Sequence, residues 1–349
     1  DGTFVDATDA AGLPRSPPAP GAAFGDVDGD GDLDLVLASG RDYPSSVTVR
    51  DGTAIFARLP PRPDAALVLD TPAAELALHL AERDDPVAPD DARLALRRVG
   101  ERRWELRWRG EHPLGGRIAP GVTAAVFDGV RPFRAGAPHR LFLNRGDGTF
   151  TASKALARQG TRGNGAAVVF GDVDDDGDLD LVVVQSGIEG ADEPDALWLN
   201  DGHGAFTAGA PIPAGDDRHA GAHLVDVDGD GRLDLLLAGG WGTSFARVPH
   251  RLFRNVAPAR HWLALRLTGR RSNRAGLGTW IEVDAGGRRQ VRYHTGGALY
   301  AQDAVPVHVG LGDATAAHVT LRWPSGRVDE RDVAADRYVD VVEGGPAPP

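Results

Sequence analysis

Apolar runs and Asp-rich turns alternate along the first 256 residues in a fixed order. Phe24-Gly25 runs into the turn 26–34, and Leu35-Val36-Leu37 follows it. The same order returns around the turns 172–180 and 226–234, where Leu179–Val184 and Leu233–Leu237 are the apolar runs that follow. A second signal keeps the same beat. Leu141-Phe142-Leu143-Asn144, Leu197-Trp198-Leu199-Asn200 and Leu252-Phe253-Arg254-Asn255 lie 56 and 55 residues apart, and Asp172 to Asp226 is 54. One period governs both, which makes the repeat the unit of the fold. Each unit predicts an apolar strand, the Asp turn, a second strand, a variable loop and the Leu-aromatic strand. A tight turn and a fourth strand such as Thr149-Phe150-Thr151 close it.

Four short antiparallel strands every 55 or so residues predict an all-β fold built from β-propeller blades over 1–256, with four to seven blades. The last repeat stops at Asn255 without a fourth strand, while Asp1-Gly2-Thr3-Phe4-Val5 reads as one. Pairing Asp1–Thr8 with the strand near Leu252–Asn255 would close the ring and remove two open edges. Residues 60–118 break the pattern. Ala73–Leu80, Ala92–Val99 and Arg103–Arg109 predict strands of a degenerate blade or a small β insertion. The strands at 141–151 read as a blade that has lost its Asp loop. From about 257 to 349 the repeat gives way to seven strand-like runs, from Trp262–Leu267 to Tyr338–Val342. They predict an antiparallel β-sandwich or barrel.

The turns carry the chemistry. Asp26, Asp28, Asp30, Asp32 and Asp34 alternate with small or apolar residues; Asp172, Asp174, Asp176, Asp178 and Asp180 repeat them, then Asp226, Asp228, Asp230, Arg232 and Asp234. Positions one, three and five offer carboxylates, Gly at six allows the bend, seven offers its carbonyl and nine closes the shell, a set of hard oxygens suited to Ca²⁺. Arg232 requires that position seven act through its backbone. Leu37, Val183 and Leu237 stand where a helix–loop–helix hand would place a bidentate Glu, so these turns feed strands instead. Acidic surface turns without metal would leave fifteen carboxylates repelling one another. The expectation is three Ca²⁺ ions in a structural role.

Composition narrows the rest. The 46 Gly and 25 Pro favour short strands. The net charge of −12 argues against nucleic acid, and it resides in the turns: without their fifteen Asp the chain is near +3. No apolar run reaches the roughly 18–20 residues of a membrane helix. No leader precedes Asp1; the chain opens within a motif, so a leader is expected to have been removed or left out. There is no Cys, and Lys154 stands alone against 37 Arg, which reads as GC-rich bacterial codon usage.

Weaker signals receive plain readings. Arg145-Gly146-Asp147 falls where the repeat needs a tight turn. His219 and His223 fall on one strand, too far apart to share a metal. Trp104 and Trp108, among Arg103, Arg107 and Arg109, read as an amphipathic strand. No Gly-x-Ser-x-Gly elbow occurs.

Phe24-Gly25-Asp26 through Leu35 resembles the FG-GAP repeats of integrin-α-like propellers; Phe170-Gly171-Asp172 repeats the phrase and Leu224-Val225-Asp226 is a weaker copy. Ser272-Asn273-Arg274, Gly276-Leu277-Gly278, Val309-Gly310-Leu311-Gly312 and Trp323-Pro324-Ser325-Gly326 resemble the ASPIC/UnbV domain. A propeller followed by that domain is the arrangement of the cartilage acidic protein 1 family. The resemblance implies an extracellular or periplasmic, secreted, calcium-binding module that binds a protein, glycan or small molecule without catalysis. Bacterial members in natural-product pathways imply the alternative, a cytoplasmic cyclase or lyase with its pocket at the propeller centre. Loops remote from the Asp turns are the expected ligand face: Arg41, Tyr43, Gln185, Glu189 and Trp241 with Arg162, Asn164, Asp217, Arg218 and His219. His219, Arg218 and Trp241 should stand nearest the axis.

Overall fold

The computed structural model describes residues 3–15, 19–39, 46–60, 63–80, 94–109, 114–129, 137–158, 163, 165–185, 194–213, 219–239, 249–298, 301–302 and 306–345. It is built of strands, and a single turn of helix at Ala155–Arg158 is the only helix among the described residues. In the first repeat an inner strand, Gly21–Gly25, pairs with a second, Asp34–Ala38. That strand pairs with a third, Arg140–Asn144, and the third with an outer strand, Phe150–Ser153, all antiparallel. The second repeat runs Gly165–Gly171, Asp180–Gln185, Ala196–Asn200 and Phe206–Ala208 in the same order. The third has His219–Val225, Asp234–Gly239 and Arg251–Phe253.

Neighbouring repeats stack with their inner strands side by side. The middle second strand shows why. Asp-Leu-Val-Val-Val-Gln at 180–185 is buried at every position. Leu181 and Val183 face one way, into a core with Val36, Leu141, Val168 and Trp198 of the first two repeats. Val182 and Val184 face the other way, toward Ala222, Leu224 and Leu237 of the third. A period of two, apolar on both faces, suits a sheet sandwiched between two others. Each such side chain contributes about 1.5–3 kcal/mol by leaving water.

Three expectations change. First, the described residues form three repeat sheets in a row, not four to seven, and no ring closes among them. The strands at 140–153 belong to the first Asp loop's own sheet; the length that suggested a further blade is an insertion. Second, that insertion is larger than 60–118 and is not a blade. Ser46–Arg50, Thr53–Leu59, Leu114–Ala119 and Ala77–Leu80 form one sheet, and Ala124–Asp128, Ala66–Asp70, Arg103–Trp108 and Leu94–Arg98 another. They enclose a separate core of Phe56, Leu59, Leu67, Leu106 and Ile118, against which Trp104 and Trp108 pack. Third, the N-terminal segment forms no strand on the third repeat. Residues 8–12 turn, Ala11 O accepts from Phe150 N at 2.9 Å on the first repeat, and Phe4 and Val5 are 97% and 90% exposed. Among the described residues the third sheet therefore ends at the strand Arg251–Phe253.

The C-terminal sandwich is present, with one departure from the expected antiparallel order. Val307–Gly312 and His261–Thr268 are antiparallel, but Arg337–Val342 joins His261–Thr268 in parallel. The facing sheet orders Arg288–Tyr293, Trp280–Ala285, Ala316–Arg322 and Val328–Ala334. Leu263, Ile281, Val319, Leu321 and Val341 fill the space between. Because the insertion has its own core, replacing residues 46–128 by a short Gly/Ser linker should leave a soluble chain that unfolds cooperatively. Circular dichroism melts check this, and an unfolded product would show that the insertion holds the first repeat together.

Candidate metal centres

Each Asp turn is shaped by its own backbone. Gly31, Gly177 and Gly231, at position six, have φ of 94°, 97° and 91°, a region closed to other residues. The position-one carboxylate accepts amides from within the turn: Gly29 N on Asp26, Asp176 N and Gly177 N on Asp172, and Gly229 N and Gly231 N on Asp226, all within 2.7–3.0 Å. At position five, Asp30, Asp176 and Asp230 each cap the amide two residues on.

Position nine binds the turn to the sheet. Asp34 accepts from Val27 N at 3.0 Å and Asn144 N at 2.8 Å; Asp180 from Val173 N and Asn200 N, both at 2.9 Å; Asp234 from Val227 N at 3.2 Å and Asn255 N at 2.7 Å. All three carboxylates are buried. The asparagines then reach outward. Asn200 Nδ2 donates to Val27 O of the preceding repeat at 2.8 Å, and Asn255 Nδ2 to Val173 O at 2.7 Å.

Carboxylate oxygens converge in each turn. Those of Asp26, Asp28 and Asp34, of Asp172, Asp174 and Asp180, and of Asp226, Asp228 and Asp230 lie within 4.8 Å of one another, and each group could hold a metal ion. The fit is tested by unspent atoms: Asp28 Oδ1 and Asp174 Oδ1, both at position three, are buried without a hydrogen-bond partner. A buried bare carboxylate oxygen is costly unless a cation faces it. The side chains of Asp30 and Asp32, of Asp176 and Asp178, and of Arg232 and Asp234 stand outside the groups, so positions five and nine, both expected to supply carboxylates, converge with the rest only in the third turn and in the first two turns respectively. Asp178 pairs with Arg288, and Arg232 with Asp230. Burial pushes Asp26 up to about 6, Asp34 and Asp172 to about 7 and Asp180 to about 8. Burial, then the neighbouring carboxylate at position five, also raises Asp28 and Asp174. At Asp226 burial pulls upward, but the Tyr338 hydroxyl and the turn's amides outweigh it, so the net shift is downward.

The C-terminal sandwich sits on the second and third turns, which the sequence did not foretell. Gly310 N donates to Asp172 Oδ2 at 3.0 Å, Gly312 N to Asp175 O at 2.9 Å and Arg288 to Asp176 O at 2.9 Å. Tyr338 donates to Asp226 Oδ2 at 2.6 Å, and His308 Nε2 to Gly231 O at 2.9 Å. Asp175 occupies the position where the other turns have Gly29 and Gly229, and shares their left-handed backbone, φ 56° against 74° and 78°.

Of the residues expected on the remote face, Arg41, Tyr43, Arg162, Asn164, Glu189, Asp217, Arg218 and Trp241 lie outside the described residues. The other two are buried in links between repeats. His219 Nδ1 meets Asp195 Oδ2 at 2.6 Å, and the Gln185 side-chain amide lies 3.0 Å from His139 Nε2. These links extend a recurring cap: Ser39 N donates to His139, Gln185 N to Asp195 and Gly239 N to His250, each side chain just preceding a third strand. The described pocket lies instead toward the Asp-turn end of the inner strands. It is a cavity of about 360 Å³ walled by all three inner strands and the C-terminal sandwich. Arg145-Gly146-Asp147 is the expected tight turn, with Gly146 N on Asn144 Oδ1 and Thr149 N on Asp147 Oδ1.

Comparison with known proteins agrees with this architecture. The FG-GAP-like repeat family matches residues 135–183 and 184–237, and the ASPIC and UnbV family matches 269–348. The chain is a protein of FG-GAP-like repeats joined to an ASPIC and UnbV domain. It is similar to cartilage acidic protein 1: 26% identical to the human protein over 324 residues (74% of this chain, 48% of that protein), and 32% identical to the mouse protein over 130 residues (37% and 20%). The chain thus spans about half the length of the human relative or less of the others. A solved structure of the major pilin subunit of Bacillus cereus has a TM-score of 0.16 at 6% identity over 83% of this chain and 62% of that chain, too low to carry an argument.

Two outcomes follow for the metal-free protein. Asp180→Ala orphans one buried and one part-buried amide, the buried one worth about 1–3 kcal/mol, and should destabilise by about 2–4 kcal/mol in urea titrations with chelator present. Stability should also fall as pH rises from about 4 to about 8. Across that window the folded state holds protons on Asp26, Asp34, Asp172 and Asp180 that the unfolded chain has released. Melting temperatures at fixed ionic strength check the sign, and a rise with pH would contradict it.

Proposed function

We propose that the chain is a calcium-binding module of the FG-GAP propeller type, with one Ca²⁺ in each Asp turn, serving in binding or adhesion outside the cytoplasm. The observation that carries the metal is the bare, buried Asp28 Oδ1 and Asp174 Oδ1 inside three-carboxylate groups. Asp26, Asp28 and Asp34 would hold the first ion, Asp172, Asp174 and Asp180 the second, and Asp226, Asp228 and Asp230 the third. Oxygen-only ligands on a Gly-hinged turn favour Ca²⁺ over Mg²⁺, which needs a tighter octahedron and keeps its waters. The ion would supply charge neutralisation where burial otherwise forces protonation. The side-by-side sheets support a propeller-like arrangement. The FG-GAP-like match and the similarity to cartilage acidic protein 1 support a binding role and secretion.

The cyclase or lyase alternative draws on the cavity between the inner strands. Among the described residues walling that cavity Asp226 is the sole carboxylate, and it is already committed to Tyr338 and the turn's amides. The FG-GAP-like match and the similarity to cartilage acidic protein 1 place the binding reading first.

Chelation should lower the melting temperature by many degrees, since each site at a hundredfold excess of Ca²⁺ over Kd adds about 2.7 kcal/mol. Metal content by mass spectrometry should drop by one ion in each of Asp28→Ala, Asp174→Ala and Asp228→Ala, and stay unchanged in Arg232→Ala. A melt indifferent to chelator would sink the proposal.

A further inference from the structure

Two arginines set the third Asp turn apart from the others. Arg232 stands at position seven, where the first and second turns have Asp32 and Asp178. Arg254 precedes Asn255, where Leu143 and Leu199 precede Asn144 and Asn200. Both reach the carboxylates that converge. Arg254 pairs with Asp228 and lies 3.5 Å from Asp230 Oδ2. Arg232 pairs with Asp230, and its Nε donates to Asn255 O at 3.1 Å. The third member of the group, Asp226, accepts from the Tyr338 hydroxyl.

The first two turns differ at the same positions. In the first, Asp26 and Asp34 are met by backbone amides, and Asp28 Oδ1 has no partner. At the second, Arg288 and Arg260 pair with Asp178 and Asp176, which both stand outside the converging group. Arg292 stands 4.0 Å from Asp172 Oδ2, beyond hydrogen-bond reach, and Asp174 Oδ1 has no partner. Position three is therefore bare in two turns and held by a guanidinium in the third. Burial follows the same division. Asp26, Asp34, Asp172 and Asp180 are buried, and no member of the third group is.

We propose that Arg254 and Arg232 make the third turn the weakest of the three calcium sites, filled and emptied while the first two stay occupied. The ranking rests on the calcium reading of the turns and orders the sites within it. Two guanidinium charges against three carboxylates leave the third group one net negative charge to offer a divalent ion. An entering ion must displace Arg254 from Asp228, or bind beside it. At a separation of a few ångströms that repulsion is worth about a factor of ten in affinity even at the dielectric of water. At the first two turns the ion instead meets an oxygen with no protein partner to lose, where charge left bare is costly.

The test is a calorimetric titration of calcium chloride into the calcium-depleted full chain at fixed ionic strength. Two ions should bind tightly and a third at least about tenfold more weakly. Asp228→Ala should remove the weak ion, whereas Asp28→Ala and Asp174→Ala should each remove a tight one. Arg254→Leu installs the residue of the other two repeats at a side chain 61% exposed. It should strengthen the third ion about tenfold and leave the other two unchanged. Arg254→Lys keeps the charge and should leave the third site weak. Should Arg254→Leu fail to fold, the assignment of the weak ion through the three Asp variants still decides. Three ions of equal affinity, a weak ion lost in Asp28→Ala or Asp174→Ala, or no gain at the third turn in Arg254→Leu overturns the ranking alone. A chain that binds no calcium overturns it together with the calcium reading.

Discussion

Two backbone amides in every repeat point at one buried carboxylate, and the rest of the architecture depends on that meeting. Asp34, Asp180 and Asp234 each take one amide from the start of the turn and one from the end of the third strand. Without an acceptor there, the turn could not be folded back under the sheet without stranding donors from water. The asparagine delivering the second amide carries the connection onward, to the carbonyl at position two of the repeat before it. At the other end of each second strand a side chain before the third strand caps a backbone amide. Each repeat is thus pinned at both ends, and the apolar faces between are held in register.

The C-terminal sandwich completes this arrangement rather than trailing from it. It reaches the second turn, the one with six carboxylates, with Arg288 and Arg292. Opposite charge there is set by the company of Asp172, Asp176 and Asp178. Contact is close enough to forbid side chains: a Cβ on Gly310 would fall 2.2 Å from Asp172 Oδ2, and one on Gly231 would run into the Trp262 indole. Trp262, His308 and Tyr338 cluster over the third turn, with Trp262 and Tyr338 edge to face at 5.2 Å. Loss of this packing would expose both turns and open the central cavity.

Much of this was legible in the sequence because it repeats. The period, the Asp positions, the Gly hinges and the strand edges all recur, and recurrence separates a signal from chance. Asn144, Asn200 and Asn255 were visible as markers of the period, but a marker does not tell what an amide group binds. The cap before the third strand was hidden because it is His139, Asp195 and His250 by turns, one role in changing letters. The insertion was one of two readings of this stretch, and its extent was hidden because its strands alternate like any others; only pairing tells that Leu35 meets Phe142 across it. Arg292 and His308 carry no local pattern. Their importance comes from a contact between domains, which a linear reading does not supply.

The insertion also sets an order of events during synthesis. In the second and third repeats the residue that closes the carboxylate clamp follows it by 20 and 21 positions. In the first, Asn144 follows Asp34 by 110. At about 5–20 residues per second a ribosome covers the short gap in about 1–4 s and the long one in about 5–20 s. The inserted sandwich, complete in itself, has time to fold first and bring the two severed halves of the sheet together. The first Asp turn therefore waits longer than its neighbours between its own synthesis and the closing of its clamp. It waits on a folded guest for its final hydrogen bond.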